Sequence, residues 1–143
     1  MSTPILNALR YRHAALVLDD VEYVRILRDI SNIPGVLVVY PGGSRYTYPE
    51  GGWNDTDVLA FVDGDFHGLS AAGFHCHESD EYGHGRSWSR DDGVNVIALH
   101  SVEAFVNRAA AAELCKLHKV ASKENRALLH EMIRSPEVCD DRD

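Results

Sequence analysis

Apolar residues recur along this chain in blocks whose spacing switches between helical and strand-like, and the switches mark the elements. In "DDVEYVRILRDISNI" two acids suited to a helix start precede Val21, Val24, Ile26, Leu27 and Ile30, which fall along roughly one face. The pattern predicts a helix over about residues 20–31. "IPG" ends it, and "GVLVVY" is a β-branched run bounded by glycine and proline, as in a buried strand. The turn "PGGS" follows directly, and after a loop "DVLAFVD" predicts a second buried strand from about Asp57 to Val62. Phe66, Leu69 and Ala72, three apart, predict a short helix near residues 65–72. Periodic burial then stops. "HCHESDEYGHGRSWSRDD", residues 75–92, is polar and carries Gly83 and Gly85, so an exposed hairpin or loop is expected.

"GVNVIALH" predicts a third strand near residues 94–99, interrupted only by Asn95. Two closing helices follow. Ser101 can cap the first, with Val102, Phe105, Val106, Ala109, Leu114 and Leu117 at helical spacing. Ser122 can cap the second, with Leu128, Leu129, Met132 and Ile133 as its apolar face. The last residues, 135–143, contain a proline and are acidic, so a frayed tail is expected there. The order of elements predicts an α/β or α+β fold in which a small sheet is packed with helices and closed by a C-terminal helix pair, as a single domain over residues 1–134.

Composition narrows this further. A chain of 143 residues with 45% hydrophobic content supports one domain with a real core. No apolar run approaches the ~20 residues of a membrane span, and no basic and apolar leader opens the chain, so the expected location is cytoplasmic, away from membranes. Cys76, Cys115 and Cys139 are odd in number and lack the paired spacing of a zinc ribbon, which favours reduced thiols. A formal net charge of -8 argues against broad attachment to nucleic acid and leaves room only for a local basic groove. No solenoid repeat or low-complexity tract is visible.

The candidate chemistry sits in "YPGGSRYTYPEGGWNDTDVLAFVD". A glycine pair lets backbone N–H groups approach a phosphate closely, and a serine hydroxyl adds a donor. Gly42, Gly43, Ser44 and the cation Arg45 have that composition. Along an extended chain alternate side chains share a face, so Asp55 and Asp57 point one way and can reach one Mg²⁺, an ion bound by one or two carboxylates besides phosphates and water. The same residues also fit ordinary turn chemistry between two strands.

An apolar strand, Gly-Gly-Ser, a gap of ten residues and Asp-x-Asp entering a second strand together resemble the signature of the DNA polymerase β-type nucleotidyltransferase superfamily. Within it, "GVNVIALHSVEAFV" and "AAAAELCKLHKVASKENRALLHEMI" resemble small phage-encoded proteins of nucleotidyltransferase type, the likeness covering about residues 35–134. The resemblance implies a small mixed sheet packed with helices, and a nucleoside triphosphate as ligand with Mg²⁺ as cofactor. By it, Gly43 and Ser44 hold phosphates, with Gly42 and Arg45 beside them by composition, Asp55 and Asp57 are catalytic metal ligands, and Lys123 and Arg126 on the last helix reach the triphosphate. The acceptor of a nucleotidyl group would be a protein, an RNA end or a small molecule, in the host cytoplasm. For Lys123 and Arg126 a solvated helix face is the alternative.

One position departs from that pattern. Active members carry a third carboxylate on a later strand, where this chain has Asn95 in "GVNVIAL". An amide cannot deprotonate an alcohol and ligates a metal weakly. Asp91 or Asp92 could substitute, or serve only as turn residues. A catalytically impaired protein that binds a host protein or sequesters a nucleotide is therefore the second expectation. A competing site lies in "HCHESDEYGH", where His75 and His77 alternate and, with Cys76, Glu78 or His84, have the donors of a zinc or nickel site. A merely polar, exposed loop is the other reading.

Overall fold

The computed structural model describes residues 20–64, 66–77 and 86–141, with side chains through residue 133. The first helix, α1 (Val21–Ser31), starts where the Asp20 carboxylate accepts from the Tyr23 N–H at 3.1 Å, capping one of the donors that a helix start leaves open. Its buried face is Tyr23, Leu27 and Ile30, while Val21, expected on that face, is 64% exposed. Tyrosine takes the place because its ring is apolar and its hydroxyl finds backbone partners.

Five strands follow: β1 (Val36–Gly42), β2 (Thr56–Val62), β3 (His75–Cys76), β4 (Arg86–Ser89) and β5 (Val94–Leu99). They form one sheet in the order β1-β2-β5-β4-β3, parallel between β2 and β5 and antiparallel elsewhere. The short helices α2 (Gly43–Thr47) and α3 (His67–Ala71) lie in the connections, and α4 (Val102–Leu117) and α5 (Lys123–Asp141) close the chain. This is a mixed α+β fold. No helix among the described residues is long and apolar enough to cross a membrane.

The sheet has two distinct faces. Opposed residues of an antiparallel pair share a face, so Tyr40 stands with Leu59 and Gly42 with Asp57. That face looks towards α4, where the Tyr40 hydroxyl donates to the Glu113 carboxylate at 2.5 Å. The alternate set, including Val58, Ala60, Val96 and Ala98, is buried on the opposite face, which α1 covers over β1 and β2. Central strands covered on both faces need few polar positions, which is why β2 and β5 read as apolar runs.

Several expectations shift. The glycine pair is no free turn, because β1 runs through Gly42 and the chain passes straight into α2. The polar segment pairs as a hairpin, His75 opposite Ser89 and Cys76 opposite Trp88, with residues 78–85 outside the described residues. Trp88 is an anchor hidden in that polar stretch, 7% exposed and stacked on Phe66 at 5.6 Å. Ser101 and Ser122 do cap, accepting from the Ala104 and Asn125 N–H groups at 3.2 and 3.0 Å.

The apolar face expected for α5 is corrected: Leu128 and Met132 are exposed, and the half-buried side carries Arg126, Leu129, His130 and Ile133. Nor does that helix stop before the tail. Proline removes one backbone hydrogen bond from a helix interior, and here the helical backbone continues beyond Pro136 to Asp141. The expected domain span also includes residues 1–19, which lie outside the described residues.

Candidate functional site

The junction of β1 and α2 brings the glycine pair against the acids. Gly43 has a φ of +69°, a conformation that side-chain-bearing residues rarely adopt, and a Cβ built on it would lie 2.0 Å from Asp57 Oδ2. Only a glycine lets the carboxylate of β2 rest on the backbone of the next element. Gly42 is different, since a Cβ there meets only Leu59 at an ordinary 3.4 Å. Asp57 also faces β5, where the Asn95 amide donates to its Oδ1 at 3.2 Å.

Around this junction opens a cleft of about 370 Å³, within the usual range for small-molecule sites. Gly42, Gly43, Ser44, Asp55 and Asp57 line one wall, and Lys123 and Arg126 line it from α5. All seven come from the set singled out in the sequence, from three separate stretches of chain. At five residues, α2 is too short for a macrodipole to contribute. The glycine backbone, the Ser44 hydroxyl and the α5 cations are the groups suited to an anion.

Sequence reasoning missed further lining residues. Arg108 is 3% exposed on the inner face of α4, with Ala112 and Cys115 on the same side, and His130 extends the α5 wall. Arg108 sits at helical spacing between Phe105 and Ala112, both buried, and that pattern was the available signal. Burial pushes the Cys115 thiol above its usual range, partly opposed by Arg126. Thr47 also borders the cleft, and its buried hydroxyl has no hydrogen-bond partner among the described residues.

Arg45, expected to hold phosphate, does not line the cleft. It is 6% exposed and turned to the α1 side, donating to both Asp20 oxygens at 2.9 Å, to Glu22 at 2.8 Å and to the Thr56 hydroxyl at 2.7 Å. Its guanidinium lies 4.0 Å from the Trp53 ring centroid and 5.1 Å from that of Tyr23. Ser44 and Arg45, adjacent on a helix, diverge by about 100°, so one meets the cleft and the other the core. Hydrogen bonding from Arg45 holds the Asp20 carboxyl below its usual range against the opposing effect of burial.

Two supports fix the rims. The Tyr23 hydroxyl accepts from the Gly42 N–H at 3.0 Å and donates to the Asp57 carbonyl at 2.6 Å, with the Gly42 carbonyl at 2.9 Å as alternative acceptor. Burial pushes that hydroxyl's pKa far above the tyrosine range. Asp57 and the residue before Gly43 are thus tied together from behind. On the other rim Tyr46 of α2 donates to Glu113, the carboxylate shared with Tyr40, and Lys116 donates to the Tyr46 carbonyl at 3.1 Å.

The remaining candidates lie elsewhere. Asp92 is engaged by Arg90, whose hydrogen bonds hold its carboxyl low, and neither Asp91 nor Asp92 lines the cleft. His75 and His77 are exposed, His77 bonding Ser89 at 2.7 Å, while Glu78 and His84 lie outside the described residues. Among the described residues no group of three or more His, Cys, Asp or Glu side chains can hold a metal. Asp55 and Asp57 both line the cleft, and one or two carboxylates are what Mg²⁺ takes from a protein when phosphates and water complete its shell.

Fold and site together define a mixed α+β domain with a cleft lined by two carboxylates of the β2 region and by Lys123 and Arg126 of α5. No protein-family model matches this sequence, and comparison with curated proteins and with solved structures finds no match.

Proposed function

We propose that the cleft binds a nucleoside triphosphate with Mg²⁺ and that the chain is of nucleotidyltransferase type, acting in the cytoplasm, that of the host if it is phage-encoded. The observation that carries this reading is the meeting, in one cleft, of Gly43, Ser44, Asp55 and Asp57 with Lys123 and Arg126. Asp55 and Asp57 hold the cation, which when bound offsets phosphate charge at the reacting centre. Ser44, Lys123 and Arg126 take the outer phosphates. In transfer, the acceptor hydroxyl attacks the α-phosphorus, its proton passes to solvent water, and the bond to the leaving pyrophosphate breaks. The acceptor class is a protein, an RNA end or a small molecule.

A second reading has its own observation. The Asn95 amide lies beside Asp57 at 3.2 Å, where a carboxylate would serve as a base. General-base assistance contributes about 10² to 10⁴ in rate, so this site favours holding the nucleotide, for sequestration or for presentation to a host protein, over rapid transfer. Calorimetric titration with ATP, GTP, CTP and UTP tests the shared part: binding requires Mg²⁺ and is abolished in Asp55→Asn with Asp57→Asn. Binding indifferent to both overturns it. Labelling of host extract with α-³²P nucleotides separates the readings, since robust transfer by the native chain excludes the second.

A further inference from the structure

In the parallel pair of β2 and β5, Asp57 lies opposite Asn95, and the two side chains leave the same face of the sheet. Asn95 is half-buried and its Nδ2 donates to Asp57 Oδ1 at 3.2 Å. Turning the amide around would set its carbonyl oxygen against a carboxylate, so the donor stays on the Asp57 side. On the other flank, Asp57 Oδ2 fills the space a Cβ on Gly43 would need. The carboxylate is held between an amide and a glycine backbone, with Oδ1 engaged by a donor and a non-ionic neighbour beside it.

Paired-ion sites clamp the attacking and the leaving oxygens with two cations close together, and hard cations of this kind take oxygen ligands, chiefly carboxylates. Here one Asp57 oxygen faces a donor, and the residue beside it presents N–H. We propose that Asn95 is a positioning residue that fixes Asp57 for a single divalent cation, so that the cleft holds a nucleoside triphosphate with one protein-bound ion. This rests on the nucleotide and cation reading of the cleft. The single ion serves the phosphates, and the acceptor hydroxyl receives no metal activation from this chain.

The test uses Mn²⁺ as probe, with saturating ATP and the full chain, read by electron paramagnetic resonance. The native protein is expected to give the spectrum of an isolated ion, one per chain. Asn95→Asp, which adds a carboxylate opposite Asp57, is expected to give the exchange-coupled spectrum of two ions about 3.5–4 Å apart. Asn95→Leu keeps one ion but loosens it by about tenfold, as loss of a partner that orients a ligand does, and Asn95→Ser, which retains a donor, recovers part of the loss. A coupled pair in the native protein overturns the inference and leaves nucleotide binding standing. So does a folded Asn95→Asp that still holds one ion, or an Asn95→Leu that binds Mn²⁺ as tightly as the native chain. If Asn95→Asp fails to fold, the native spectrum and the Leu variant decide. A native chain that binds neither Mn²⁺ nor ATP overturns this inference and the proposed function together.

Discussion

A single hydrogen atom decides how close the backbone at Gly43 comes to the Asp57 carboxylate. Gly43→Ala combines an unfavourable positive φ with a Cβ 2.0 Å from Asp57 Oδ2, so either the backbone or the acid must move. The expected cost is about 1–3 kcal/mol of stability, together with loss of Mg²⁺-dependent nucleotide binding. Thermal unfolding and calorimetric titration check the two parts, and a variant that binds as tightly as the native chain would show that the contact is incidental. Gly43 and Asp57 could be singled out from residue type and spacing, but the expected neighbour of the glycine backbone was a phosphate, and its close approach to the Asp57 carboxylate depends on how β1 and β2 pair. Arg45 was misread because composition groups neighbours that a helix sends to opposite sides. Arg108 and His130 were missed because their access to the cleft depends on how α4 and α5 are rotated, which apolar spacing fixes only loosely when alanines dominate the contact.

Among the elements, α1 is secured to the start of α2 through charge. Asp20 caps α1 and pairs with Arg45, and its folded pKa lies below its ordinary value of 3.8. A depressed carboxylate contributes stability above its unfolded pKa and loses it as pH falls through the folded value. Asp20→Asn keeps a capping side chain but removes the charge. The variant is therefore expected to be less stable than the native chain at pH 7, with the gap closing below pH 3.8. Urea unfolding at both pH values measures this, and a gap that stays constant would assign the effect to the cap alone. The Asp20 side chain is 36% exposed, so solvent screening keeps the effect modest. Helix and strand positions were largely legible because caps and β-branched runs act locally. The half-buried side of α5 was not: with no deeply buried contact to fix its rotation, apolar spacing alone did not place Leu128 and Met132 outward and Arg126 and His130 on the cleft.

At the scale of the molecule, a chain of net charge -8 gathers Lys123, Arg126 and Arg108 around one cleft that also holds Asp55 and Asp57, so charges of both signs meet there. The fold class could be read from the order of elements, whereas the pairing of β2 with β5 could not, because a parallel neighbour is set by the path of the intervening chain. That arrangement leaves α5 in an unusual position. It carries much of the cationic wall, yet none of its described side chains is buried and it packs chiefly on α4. Such a segment opens at small free-energy cost, so its amide protons exchange with solvent through local unfolding that leaves the sheet intact. A nucleotide bridging both walls must lift off before α5 can open. At a ligand concentration 100 times the dissociation constant this linkage adds about 2.7 kcal/mol, which corresponds to roughly hundredfold slower exchange. Deuterium uptake followed by mass spectrometry should show that slowing in peptides from residues 123–133, with the central strands far less affected. Uptake there that ignores the nucleotide would mean the ligand touches only the sheet side. Binding strength would then be written in this helix as protection, and α5 would be the part of the chain whose order reports occupancy.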